Sequence, residues 1–320
     1  MSDTTPAVAE QSLEDQAARA AWLYYVGQKT QDQIAQELGI SRQRAQRLVA
    51  RAVADGLIQF RFDHRIARCL ELENEFLRRG LRRARIAPNL DGGAFSSRAV
   101  APIAAAEIEC ALSAPEPIVI AVGTGRALRA AVEQVHSVDY SQHKLVSLNG
   151  NISPDGSASN YDVLMRLADR VNATHYPMPV PVVAASVAER ELLHSLTPIR
   201  RSIAMARMAN VAFVGIGHTS ETAPMLRDGF LTPGEFDEVC RAGAAGEIVG
   251  WFYDDAGRYL DIDINQRMAG ICVEPPGESD RLVIGVAAGP DKHRALRAAM
   301  AGGLINGLIT DEETAIALLD

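Results

Sequence analysis

The sequence predicts an α/β protein in two parts, a small all-α N-terminal domain and a larger domain built on a parallel sheet. Three observations carry this. The chain has 320 residues, enough for about two domains. Between residues 117 and 292, four apolar runs end in glycine or polar turns and lead into helical stretches, which is the texture of strands buried on both faces. The formal charge of −8 is also uneven: residues 1–85 hold 14 Lys/Arg against 11 Asp/Glu, and residues 86–320 hold 18 against 29. Composition, at 48% apolar and 22% charged, allows a sizeable core.

From Leu13 to Tyr25, Leu13, Ala17, Ala20, Ala21 and Tyr24 recur at helical spacing, and Gly27 breaks the pattern. Thr30 can cap a second helix whose apolar positions are Ile34, Ala35 and Leu38. Gly39 ends it, because the residue after a helix often takes the left-handed conformation. Ser41 caps a third helix with Ala45, Leu48, Val49 and Ala52 on its inner face. Asp55-Gly56 then turns the chain into "LIQFRF" (57–62), a short strand and candidate wing. A small residue at Ala35, where the next helix crosses, followed by a turn glycine, is the spacing of a helix-turn-helix, so residues 1–62 are assigned to one DNA-binding domain.

That assignment leaves Ser41, Arg42, Gln43, Arg44 and Arg47 on or near the outer face of the third helix. Residues 42–51 contain four arginines and no acid. Arg can grip guanine and Gln adenine, each through two hydrogen bonds. Ser41 and Gln31 are placed for phosphates, which fix register without carrying sequence information. A plain helical hairpin with a basic solvent face would show the charge without the small residue, cap and turn glycine. An acidic body with one basic element suits a protein that meets double-stranded DNA only there.

Residues 65–85 read as one charged helix, within a linker and oligomerisation segment over 63–88. Leu70, Leu72, Phe76 and Leu77 form its apolar face. A helix packed on its own domain is the alternative. From residue 89 to 320 the strand candidates are "PIVIAVGTG" (117–125), "KLVSLNGN" (144–151), "NVAFVGIGH" (210–218) and "RLVIGVAAGPDK" (281–292). Together they give a Rossmann-like parallel sheet. "WFYDDAGRYLDI" (251–262) reads as an added hairpin turning at Asp254–Gly257. The end of the chain, from Lys292, reads as two helices, the second capped by Asp311.

Ligands in open parallel sheets gather at the carboxyl ends of strands. Gly123-Thr124-Gly125-Arg126 follows a strand and opens a helix, so backbone N–H groups and the Thr124 hydroxyl offer an anion cradle. The third glycine of a dinucleotide fingerprint is absent, which speaks against a nicotinamide site. Turns at Gly150 and Gly215 and the lysine Lys292 converge on the same expectation of a small-molecule site. No catalytic motif is present: there is no His-Glu-x-x-His and no Gly-x-Ser-x-Gly. Glu191 and His194 have metal-ligand spacing but no second pair, so no metal and no cofactor are expected. Cys69, Cys110, Cys240 and Cys272 form no C-x-x-C, no secretory signal opens the chain, and no apolar run reaches membrane length. A cytoplasmic location without membrane contact is the expectation.

With these residues in view, the chain resembles the SorC/DeoR-type bacterial transcriptional regulators. The likeness runs from about Ala21 to the C-terminus. It rests on "TQDQIAQELGISRQRAQRLVARAVADGLI", "IVIAVGTGRAL", "LVSLNGNIS", "AFVGIGH", "GAAGEIVGWFYDDAG" and "AAGPDKHRALRAAMAGGLINGLITDEETAIALL". The N-terminal part also looks like regulators of polyol catabolism. The resemblance implies operator DNA as partner, a sugar-effector domain similar in fold to glucosamine-phosphate deaminases and ribose-phosphate isomerases, and homodimers or homotetramers. It implies an effector site at Gly123, Thr124, Gly125 and Arg126, at Asn149 and Gly150, and at Glu247 and Lys292, with Gly215, Gly217 and His218 on the neighbouring turn. One branch carries a lysine that forms a Schiff base at the position of Asn149, so covalent capture is not expected here. The loop "GTGRAL" departs from threonine-richer phosphosugar loops, which leaves sugar, sugar phosphate and polyol open. The expected function is a regulator, on balance a repressor, of a carbohydrate or polyol operon. The rival reading, from another class, is a sugar-phosphate isomerase or deaminase with a DNA-binding appendage.

Overall fold

The computed structural model describes residues 12–55, 57, 65–89, 97–157 and 163–320. The chain divides into two compact units, Met1–Asp63 and His64–Asp320. The first holds α1 (Leu13–Tyr25), α2 (Gln31–Leu38) and α3 (Arg42–Ala54). Its caps follow the sequence. Thr30 and Gln33 form a reciprocal capping box, and the Ser41 side chain accepts the Arg44 N–H at 3.3 Å. Gly39 sits at φ +65°, ψ +33°, a conformation that costs an L side chain roughly 1–2 kcal/mol. Ile34, Ala35, Ala45, Leu48, Val49 and Ala52 pack against Ala17, Ala20, Ala21 and Leu23. The many alanines let three short helices approach closely around a very small core. Leu13 and Tyr24, expected inside, are 48% and 38% exposed, and Leu23 takes the inward place. The candidate wing lies outside the described residues, Leu57 excepted.

The second unit opens with α4 (Arg65–Arg78), β1 (Arg83–Ala87), α5 (Ser97–Leu112), β2 (Val119–Val122), α6 (Arg126–Val132) and β3 (Lys144–Ser147). It continues with α7 (Val163–Val171), β4 (Thr174–Tyr176), α8 (Val187–Ser195), α9 (Thr197–Arg207) and β5 (Val211–Gly215). Next come α10 (Pro224–Arg227), α11 (Pro233–Arg241), β6 (Gly246–Ile248), β7 (Trp251–Tyr253) and α12 (Asp263–Arg267). Last are β8 (Leu282–Val286), α13 (His293–Ala301), β9 (Gly307–Asp311) and α14 (Glu312–Leu319). Among the described residues seven strands form one parallel sheet in the order β1-β9-β8-β5-β2-β3-β4. Both faces are covered. Val211 and Phe213 of β5 point into one core, with Ile120 and Val122, while Ala212 and Val214 point into the other. This two-sided burial is why the strands read as unbroken apolar runs rather than alternating ones.

Three expectations need correction. The predicted helix over 65–85 stops at Arg78, and "RARIA" becomes the edge strand β1, pairing with β9 from Arg83↔Gly307 to Ala87↔Asp311. Its arginines suggested a helix surface, yet they alternate with buried Ala84 and Ile86, and both Arg83 and Arg85 bind the Glu107 carboxylate on α5. Of the expected apolar face of α4, Leu72 and Phe76 are buried, joined by Cys69, while Leu70 and Leu77 are 54% and 42% exposed. Second, the C-terminal region is helix, strand, helix: "GLITD" is β9, with all five residues buried between β1 and β8. Asp311 does cap the following helix, accepting the Thr314 N–H at 2.7 Å. Third, the main hairpin pairs β6 with β7 around Val249-Gly250, and Asp254–Gly257 is a turn that leads to a single bridge between Tyr253 and Tyr259. No helix among the described residues is long and apolar enough to cross a membrane.

Candidate functional site

The sheet order reverses at β2. The chain leaves β2 toward β3 on one side and returns to β5 on the other, so the loops after β2 and β5 diverge and open a crevice between them. The cavity in that crevice measures about 410 Å³. Five segments form most of its wall: Thr124–Ala127 after β2, Asn149-Gly150 after β3, Gly215–His218 after β5, Glu247 with Gly250 on the β6–β7 hairpin, and Val286–Lys292 after β8. Of the eleven effector residues expected from sequence, ten line this one space. The eleventh, Gly123, lies beneath the wall, where its N–H donates to Phe213 O at 2.8 Å.

The β6–β7 hairpin fixes Glu247. Its backbone exchanges two hydrogen bonds with Gly217, at 2.9 and 3.1 Å, and its Oε2 accepts the Gly250 N–H at 2.7 Å. A Cβ at position 217 would collide with the Glu247 side chain, so glycine there lets the carboxylate keep its place. The turn beside it places Val249 at φ +57°, a strained conformation for a β-branched residue and one worth roughly 1–3 kcal/mol. Burial of the Val249 side chain in the core holds it.

Burial governs the charges. It raises the Glu247 carboxyl above its usual range, while the Gly250 N–H and Lys292 pull it back. It lowers the Lys292 ammonium from 10.5 to about 8, with Glu247 opposing the fall and Arg126 adding to it. His218 falls to about 4, through burial first and then the Lys292 charge, so it is neutral at pH 7; its Nδ1 lies 3.1 Å from Ser220 Oγ. The side chains of Lys292 and Arg126 make no hydrogen bond or ion pair among the described residues. Asn149 Oδ1 is likewise buried without a partner there. The wall therefore presents two cations, the carboxyl groups of Glu247 and Asp291, a neutral imidazole and an open acceptor: groups suited to holding a polar ligand, with no group of His, Cys, Asp and Glu among the described residues fit for a metal ion.

Residues that the sequence reading missed come from the added subregion. Pro224, Met225 and Phe230 supply apolar wall, and Val182 closes another side. Pro224 and Met225 open the four-residue α10, and Phe230 and Val182 lie outside helices and strands, so no periodic signal could have found them. In the first unit Arg42, Gln43, Arg44 and Arg47 are exposed on α3, Ser41 is engaged as its cap, and Gln31 is half-buried at the start of α2.

Residues 64–320 match the family described as "Putative sugar-binding domain", and residues 16–66 match the MarR family. The erythritol catabolism regulatory protein EryD of Brucella abortus is 33% identical over 304 residues, which is 95% of this chain and 96% of that one. The chain belongs to the SorC/DeoR-type family of sugar-binding transcriptional regulators. Within this family the transcriptional regulator LsrR of Klebsiella pneumoniae is 33% identical over 318 residues, covering 98% of this chain and 94% of its own. The crystal structure of the full-length sorbitol operon regulator SorC from Klebsiella pneumoniae superposes with a TM-score of 0.69 at 27% identity, over 96% of this chain and 99% of that one. These family members are transcriptional regulators and not enzymes, which removes the isomerase or deaminase reading.

Proposed function

We propose that this regulator represses a carbohydrate or polyol catabolic operon, and that a small effector in the cavity controls its hold on operator DNA. The observation that carries the effector reading is the convergence of ten residues from five distant segments on one cavity of about 410 Å³, a size usual for small-molecule sites. Arg126 and Lys292, two cations that form no ion pair among the described residues, take the anionic end of a sugar phosphate. Glu247 and Asn149 Oδ1 accept hydroxyl hydrogen bonds, with Thr124 and His218 beside them. A second reading, a free polyol, is favoured by Glu247 and Asp291, whose charges offset those of the two cations, and by similarity to an erythritol catabolism regulator.

The protein acts in the cytoplasm as a homodimer or homotetramer. The segment 63–88 supplies a contact between copies through Leu70 and Leu77, which α4 leaves exposed. Paired α3 helices read half-sites whole helical turns apart. An effector that binds one assembly better shifts the population toward it, and operator affinity changes by the same coupling energy, about 1–3 kcal/mol. The test is a thermal-shift and operator-retention screen against pentoses, hexoses, their phosphates and C4–C6 polyols. One class should raise the melting temperature and change operator affinity, and Glu247→Gln should cancel both. If no compound moves either quantity, the sensor reading fails.

A further inference from the structure

The four arginines of α3 are not equivalent. Arg42 pairs with Asp32 of α2 at 3.6 Å. A guanidinium nitrogen of Arg44 donates to Gln16 Oε1 on α1 at 3.1 Å. Arg51 pairs with Asp55 at 2.9 Å. The Arg47 side chain alone of the four makes no hydrogen bond or ion pair among the described residues.

Helix geometry gives the same division. Ala45, Leu48, Val49 and Ala52 face the core. At 3.6 residues per turn the opposite direction falls on Gln43 and Arg47, with Gln46 and Ala50 beside them. All four are exposed, and neither glutamine has a side-chain partner among the described residues. Arg42 and Arg44 lie roughly a quarter turn to either side.

Building on the DNA-binding reading above, we infer that Gln43, Gln46 and Arg47 read bases while Arg42 and Arg44 clamp phosphates, with Ala50 as the small residue that lets α3 approach the groove floor. A guanidinium that pairs within its own domain is biased toward one position, which suits phosphates that recur at the same place in any sequence. An untethered fork on the outermost face is free to make the two parallel hydrogen bonds that distinguish guanine, and the glutamines can do the same for adenine. Gln46 thus joins the base-reading set, and Arg42 and Arg44 leave it.

The experiment selects binding sites from a randomised double-stranded DNA library with the full-length protein, then measures affinity at several salt concentrations. Arg47→Ala and Arg47→Lys should both lower affinity for the selected site by about 5- to 150-fold and flatten the preference at one base position, since lysine keeps the charge but not the fork. Gln43→Ala and Gln46→Ala should flatten neighbouring positions. Arg42→Ala and Arg44→Ala should weaken all sequences alike and reduce the salt slope by about 1, with lysine restoring both. The inference is overturned if Arg42→Lys or Arg44→Lys changes the selected bases. It is equally overturned if the Gln43, Gln46 and Arg47 variants, with helical content intact, keep the wild-type preference. A wild-type protein that selects no site would overturn the DNA-binding reading itself, a result distinct from either of these.

Discussion

Replacing Lys292 with methionine should make the unliganded protein more stable, because the folded state bears the cost of a half-buried ammonium that forms no ion pair among the described residues. Burial lowers its pKa from 10.5 to about 8, which at about 1.36 kcal/mol per pH unit is roughly 3 kcal/mol at neutral pH. Below pH 8 the ammonium is charged in both states and the whole cost is present. Between pH 8 and 10.5 the unfolded chain binds more proton than the folded one, so stability rises with pH; above 10.5 the cost is gone. Water entering the open cavity reduces the effect, so Lys292→Met should gain about 1–3 kcal/mol at pH 7, or about 2–10 °C in melting temperature for a domain of this size. Thermal melts of wild type and variant at pH 7 and pH 9.5 test this. The gap should be large at the first pH and clearly smaller at the second. An unchanged or lower melting temperature at pH 7, or a gap that ignores pH, would show that the ammonium has a partner and refute the reasoning. If Lys292 holds the effector's anionic end, the same variant also loses the effector-induced shift.

Two further perturbations probe the turns. Gly217→Ala should drive the Glu247 carboxylate off the Gly250 N–H, destabilise the fold by about 1–3 kcal/mol and abolish the effector-induced thermal shift; an unaltered effector response would contradict the placement of Glu247. Gly39→Ala meets open space, so its cost is the left-handed backbone alone, roughly 1–2 kcal/mol, and it should appear as earlier unfolding of the N-terminal unit with the His64–Asp320 unit unchanged. Separate melting of the two units by calorimetry reads that difference directly.

Elements with strong local signals were legible in the sequence. The caps at Thr30, Ser41 and Asp311 and the turn at Gly39 depend on a few neighbouring residues, and all appear where expected. Strands β2, β3, β5 and β8 announced themselves because both their faces are buried. Strand β1 did not, because its arginines satisfy Glu107 on a helix more than twenty residues away, a pairing no local pattern can show. Strand β9 hid among helical neighbours because five buried residues are too few to distinguish strand from helix. The hairpin was misplaced by one strand for a related reason: its turn uses Val249 at positive φ, which local preference disfavours and core packing imposes.

The sequence by itself determined the helix-turn-helix and the parallel-sheet class, because capping and apolar runs act over a few bonds, and its resemblance to the SorC/DeoR-type regulators pointed to ten residues that line one cavity wall. Only the tertiary structure decided how those residues are charged and what they are free to do. Burial puts Lys292 near neutral titration and keeps His218 uncharged, and a close approach makes Gly217 the seat of Glu247. Contacts from α1 and α2 tether two arginines of α3 and leave Arg47 untethered. Desolvation and contact are properties of groups brought together from distant segments, so they exist only once the chain has folded.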